Sequence, residues 1–115
     1  MLLLHCNGAN DGTSFPDSAS HPITANGDVA NTRAEQKVGD SSIIFDGTGD
    51  YLSIPASSDW NFGTGNYTVE LWFKRARDST IEYLIDHDEG TDTGWGFRFK
   101  SGDDKIEFSD TSNSF

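Results

Sequence analysis

Two arrangements of apolar residues organise the chain. The first is strict alternation: Tyr67, Val69, Leu71 and Phe73 fall on one side of an extended segment, and Thr68, Glu70, Trp72 and Lys74 on the other. This period of two predicts a strand over residues 67–75 with the first set facing the core. Trp72 on the second side implies cover there too, and so a central place in a sheet. Residues 95–100 repeat the alternation, aromatic against small or basic: Trp95, Phe97 and Phe99 against Gly96, Arg98 and Lys100. The second arrangement is the short apolar run closed by turn residues. Residues 42–45 and 51–54 flank Asp46-Gly47-Thr48-Gly49-Asp50 and predict a hairpin that stops at Pro55. Residues 1–6, 23–25, 81–86 and 105–109 predict further strands. Residues 7–20, 31–40, 63–66, 86–94 and 101–104 are turn-rich or polar and predict connections, with an Asn26-Gly27 turn after the 23–25 strand. Residues 57–60 predict one helical turn capped by Ser57 or Ser58, and a further turn is compatible with the Ala34-Glu35-Gln36-Lys37 run. About eight strands fit the length. The class is all-β, an antiparallel sandwich.

Composition sharpens this picture. The 115 residues predict one domain, residues 1–115. Only 34% of the chain is hydrophobic, yet 12% is aromatic with 8 Phe and 3 Trp, so the core is expected to be thin and built from rings. Trp60 and Trp72 are expected within it. The net charge is -11, which opposes phosphate backbones and anionic lipid surfaces. Nucleic acid and membrane insertion are therefore not expected. Cys6 is the single cysteine, so no internal disulfide forms, and its place in the apolar run 1–6 suggests packing rather than chemistry. That run is too short for a signal peptide or a membrane span.

Four blocks then carry a resemblance. They are Leu2-Leu3-Leu4-His5-Cys6-Asn7-Gly8, Phe15-Pro16-Asp17-Ser18, Ile44-Phe45-Asp46-Gly47-Thr48-Gly49-Asp50-Tyr51-Leu52 and Phe62-Gly63-Thr64-Gly65-Asn66-Tyr67-Thr68-Val69-Glu70-Leu71-Trp72. In order and spacing they resemble laminin-G-like modules of the concanavalin A-like lectin/glucanase superfamily, of the type found in bacterial surface and phage structural proteins. The resemblance implies a two-sheet antiparallel jelly roll that binds glycans or proteins, often with a calcium ion near the rim. Such modules are longer, and the blocks belong to their first half. The expectation is therefore an incomplete sandwich, the N-terminal part of a longer module: a piece of a longer product, a shortened variant, or a fold completed by another chain. Its open edges favour assembly with other chains, as a homo-oligomer or among virion proteins.

The glucanase branch uses paired acids at Glu-x-Asp-x-x-Glu spacing, because retaining hydrolysis needs two carboxyls across the scissile bond. Glu82, Asp86, Asp88 and Glu89 do not fit that spacing, Glu82, Asp86 and Asp88 share a face only along an unbroken strand, and Glu70 is isolated. The expectation is a non-enzyme. Hard-oxygen clusters suited to calcium occur in the loop 86–92 (Asp86, Asp88, Glu89, Asp92), in the first loop (Asn7, Asn10, Asp11, Asp17) and at Asp46 and Asp50. Ordinary turn chemistry competes at each. His5, His21 and His87 lie far apart in sequence and beside no cysteine cluster, which disfavours zinc. Exposed rings beside polar groups suit sugars. Tyr51, Trp60, Tyr83 and Trp95 are candidates, and Trp95 with Asp86, Asp88 and Tyr83 forms the favoured ligand site, with packing in the core the competing reading of Trp95. Asn66-Tyr67-Thr68 is a glycosylation sequon relevant only in a secreted eukaryotic protein. The reading is a non-catalytic adhesion module on an extracellular or virion surface. The alternatives are a virion structural or decoration protein of capsid or tail, and, more remotely, a glucanase fragment.

Overall fold

The computed structural model describes residues 1–76, 81–87, 94–100 and 105–110. Within them the regular structure is β apart from one 3-10 turn, and every strand pair is antiparallel. The chain divides into two compact units, Met1–Val69 and Glu70–Phe115.

The first unit is built on one long, interrupted strand pair. β1 (Thr24–Asn26) pairs with β4 (Tyr51–Ser53), with Thr24 opposite Ser53 and Asn26 opposite Tyr51. β2 (Ala30–Thr32) pairs with β3 (Ser42–Ile44), with Ala30 opposite Ile44 and Thr32 opposite Ser42. The expected hairpin between residues 42–45 and 51–54 is thus corrected: both strands exist, but each pairs with the 24–32 arm instead of with the other. Residues 45–50 are an excursion facing residues 27–29. The carboxylate of Asp50 explains the pairing, because it accepts from the Asp28 amide at 2.6 Å and from the Asp46 amide at 2.8 Å. One side chain thereby ties the excursion to the opposite arm. Gly27, at φ 76°, lies so close that a Cβ there would strike the Asp50 carboxylate.

The loop before this pair is the centre of the unit. Phe15 and Val29 are its buried apolar residues, alongside buried Asp17, Asn31 and Ser41. Asn31 donates from Nδ2 to the carbonyls of Gly12 (2.8 Å) and Ser14 (3.2 Å), and its backbone pairs with Asp11 and Gly12. Ser41 Oγ accepts from the Gly8 amide at 2.8 Å and donates to the Cys6 carbonyl. Asp17 accepts from the Leu3 amide at 2.6 Å and the His21 amide at 3.0 Å. Short polar side chains therefore do here what strand ladders do elsewhere. The strand expected over residues 1–6 reduces to one bridge, Leu4 to Asp17, because the Asp17 side chain takes the Leu3 amide and Cys6 turns to φ 54°. Cys6 is half-buried, and burial pushes its thiol pKa up. The helical turn forms as expected, as a 3-10 turn over Ser58–Trp60 with Ser57 Oγ accepting from the Asp59 amide at 3.2 Å. Trp60 is half-buried, its Nε1 donating to the Pro55 carbonyl at 3.1 Å.

The second unit contains one three-stranded sheet, β5 (Glu82–His87), β6 (Trp95–Phe99) and β7 (Ile106–Asp110), with β6 in the middle. Its alternation produces an aromatic face. Phe97 packs on Phe108 with centroids 4.9 Å apart, His87 on Trp95 at 5.8 Å, and buried Phe99 meets Phe73 edge-on at 5.5 Å. Arg75 lays its guanidinium 4.2 Å from the centre of the Phe99 ring and donates to Glu82 at 2.8 Å.

The alternating segment 67–75 is the second correction. It forms no strand with any described strand, and Tyr67, Leu71, Phe73 and Trp72 are all exposed, Trp72 by 66%. Alternation states which side chains could share a face; a ladder partner on each flank is what makes a strand. Trp72 is accordingly not a core residue.

Candidate functional site

A register slip in β5 creates the site. Tyr83 pairs with Arg98, but Ile85 pairs with Phe97, so Leu84 is the extra residue of a bulge. Plain alternation would put Tyr83 and Asp86 on opposite faces. The bulge brings them to the same face, where Tyr83 faces Arg98 and Asp86 faces Gly96 across the ladder. β7 continues the row, with Glu107 opposite Arg98. Arg98 Nε donates to Glu107 Oε2 at 2.8 Å, and Nη1 donates to the Tyr83 hydroxyl at 3.4 Å. These partners raise the pKa of Arg98, Tyr83 first and then Glu107. Tyr83 keeps 55% of its surface exposed. Gly96 leaves room for Asp86, since a Cβ there would stand 3.0 Å from Asp86 Oδ1.

The structure unites two of the four favoured site residues, Tyr83 and Asp86. Trp95 lies on the opposite, aromatic face with His87, so it is not part of that site. Asp88 falls outside the described residues, as do Glu89 and Asp92. Arg98 and Glu107 join the set unforeseen. The alternation of residues 95–100 already places Arg98 opposite the rings, so half of that signal was in the sequence. The bulge also separates the acids: Glu82 turns to the aromatic face and is held by Arg75, away from Asp86.

The other clusters resolve into local chemistry. Asn7 Oδ1 accepts from the Asp40 amide, Asn10 Oδ1 from the Arg33 amide, and Asp46 Oδ1 from the Thr48 amide. His21 stands between two carboxylates, Nδ1 2.6 Å from Asp17 and Nε2 3.0 Å from Asp59, with Trp60 4.8 Å away. These carboxylates bind opposite edges of one ring and do not converge. Burial raises the Asp17 pKa. The amides of Leu3 and His21, the His21 ring and the Ala19 amide outweigh it and hold this carboxyl well below the usual range. Among the described residues there is no group of three or more His, Cys, Asp or Glu that could hold a metal ion; most of the 86–92 loop lies outside them. Among them, too, no helix is long and apolar enough to cross a membrane.

A laminin-G family model of the concanavalin A-like lectin/glucanases superfamily matches residues 46–115, more than half of the chain. The chain belongs to this superfamily. Its jelly-roll fold accords with the all-antiparallel pairing of the described strands. The matched residues include the Asp46–Leu52 motif, the Phe62–Trp72 block and the whole β5–β6–β7 sheet; the Leu2–Gly8 and Phe15–Ser18 blocks lie outside them. No curated protein and no solved structure matches the chain.

Proposed function

We propose that this superfamily member is a non-catalytic binding module whose contact surface is the Tyr83–Asp86–Arg98–Glu107 face, taking glycans on an extracellular or virion surface. The observation that carries the reading is the exposed Tyr83 ring beside a fixed guanidinium and carboxylates. A ring offers a flat apolar surface for the C–H groups of a pyranose, and the polar row offers donors and acceptors for its hydroxyls. Binding is supported over hydrolysis because Glu82 and Asp86, the two acids of β5, lie on opposite faces, and Glu107 on the Asp86 face is engaged by Arg98. A glycan array followed by calorimetry tests it. Tyr83→Ala is expected to weaken binding about tenfold. Chelation with EDTA is expected to leave it unchanged, because the described groups need no metal. Undiminished binding by Tyr83→Ala would overturn the assignment.

A second reading, assembly in a virion or oligomer, is favoured by the exposure of Leu71, Trp72 and Phe73. Sedimentation distinguishes it: Trp72→Ser would convert an oligomer to monomer, and a wild-type monomer would rule the assembly role out.

A further inference from the structure

His21 is packed between the first loop and the Ser58–Trp60 turn, and both of its ring nitrogens face a carboxylate. Nδ1 lies 2.6 Å from Asp17 and Nε2 3.0 Å from Asp59. A carboxylate only accepts hydrogen bonds, so both contacts are satisfied together only when the ring carries a proton on each nitrogen. Neither acid takes that proton instead. Despite its burial, the Asp17 carboxyl is held well below its usual range by the Leu3 and His21 amides and the His21 ring. The Met1 amine first, and then the His21 ring, hold the Asp59 carboxyl below its usual range too.

The two carboxylates are not equivalent. The Asp17 side chain is fully buried and anchored by the Leu3 and His21 amides. The Asp59 side chain is 43% exposed and shares its Oδ2 with the Met1 amine at 2.8 Å. A neutral imidazole has one N–H to give. Asp17 has no route to water, so it keeps that hydrogen bond through Nδ1. Nε2 then presents a lone pair to Asp59, acceptor against acceptor, and the part-exposed Asp59 is the group that can swing into solvent. Asp59 is the middle residue of the 3-10 turn, and the next residue, Trp60, rests against the same imidazole with ring centroids 4.8 Å apart. A charged ring is the better neighbour for an indole. Loss of the proton therefore weakens both of these ties at once.

We infer that His21 is a proton-controlled latch: protonated, it clasps the Ser58–Trp60 turn to Asp17, and neutral, it keeps Asp17 and releases Asp59 with the turn. Imidazole is the side chain whose ordinary proton exchange falls between about pH 5 and about pH 8, so the latch works where the surrounding acids stay charged. Among the described residues, the charged groups facing this contact are the Asp17 and Asp59 carboxylates and, beyond Asp59, the Met1 amine. The device lies wholly within the first unit and does not depend on the Tyr83 face.

Nitrogen–proton NMR of the histidine rings in the full chain, followed from about pH 5 to about pH 8, tests this. At the acid end both His21 nitrogens are expected to carry protons; at the alkaline end Nδ1 alone does. The Asp59 and Trp60 amides and the Trp60 indole are expected to shift with the same midpoint, and hydrogen exchange at the Trp60 amide to quicken several-fold. His21→Gln removes that midpoint and leaves only the response that belongs to the Met1 amine. Asp59→Asn keeps the turn closed across the range, because a carboxamide accepts from a protonated Nε2 and donates to a neutral one; its Trp60 signals stay flat while His21 still titrates. A melting curve for each variant confirms that it folds, and the wild-type ring spectra decide the tautomer without any variant. The inference is overturned if the neutral ring carries its proton on Nε2, if its protonation does not change across this range, or if residues 58–60 respond equally in His21→Gln. An Asp59→Asn turn that responds like wild type overturns it as well.

Discussion

The two units hold themselves together by different means. In Met1–Val69 the most buried side chains include Asp17, Asn31 and Ser41, and each is bonded to backbone of the residue 1–21 region. In Glu70–Phe115 the work is done by a continuous ladder and by rings, Phe97 on Phe108 and Phe73 on Phe99. A ladder repeats one interaction, so single changes on its surface are diluted over many pairs. A polar staple concentrates several backbone bonds in one side chain, and its loss strands all of them at once. The comparison teaches that the acidic and amide-rich composition of the first unit is structural as well as solvating.

That contrast can be broken most severely at Asp17. Asp17→Ala removes the acceptor for the Leu3 and His21 amides and for the His21 ring, and is expected to lower the melting temperature more than any surface change in the second unit. The effect depends on pH with a definite sign. The folded pKa of Asp17 lies below its unfolded value, so its stabilisation is complete above about pH 4 and disappears as pH falls further. The gap between wild type and Asp17→Ala in thermal melts should therefore narrow from about pH 5 to about pH 2. A gap independent of pH would show that packing, and not the charge, sets the cost.

A smaller effect is expected at Gly8. A Cβ there collides with the Asn31 side chain, whose two carbonyl bonds fix its position. Gly8→Ala should cost about 1–3 kcal/mol in urea unfolding, the usual range for overpacking. The smallest effect belongs to the sheet. Glu107→Gln breaks an ion pair whose side chains are 32% and 43% exposed, and should cost under about 1 kcal/mol, with the difference shrinking in salt. If Glu107→Gln cost more than Gly8→Ala, the division of labour between the units would be wrong.

The sequence disclosed which segments are extended more readily than what they pair with. Strands over 82–87, 95–99 and 106–110 and the Ser57-capped turn were legible from alternation and capping residues. The partner of residues 51–53 was not, because a Gly-rich, acidic connection looks like a hairpin whether it closes on itself or, through Asp50, on a distant arm. Residues 67–75 had the clearest period of any segment and no described ladder, since period carries no information about partners. In the candidate site, Tyr83 and Asp86 were visible as chemistry. Arg98 was visible as a face, and Glu107 required the β6–β7 register. Trp95 was drawn toward the site by its closeness in sequence to the acidic loop, but its place on the aromatic face agrees with the competing packing reading.

Leu84 gives β5 a parity that its length hides. Counting along the strand, the residues on either side of Leu84 keep their faces only because it is not counted. Deleting Leu84 would leave a regular strand with Tyr83 and Asp86 still side by side. Gaining one residue between them, with the bulge kept, would send Tyr83 to the rings and bring Glu82 round beside Asp86. A single-codon insertion would thus exchange an aromatic contact for a pair of acids without altering any existing side chain's identity. In this strand, the spacing of the residues is as much a determinant of specificity as the residues themselves.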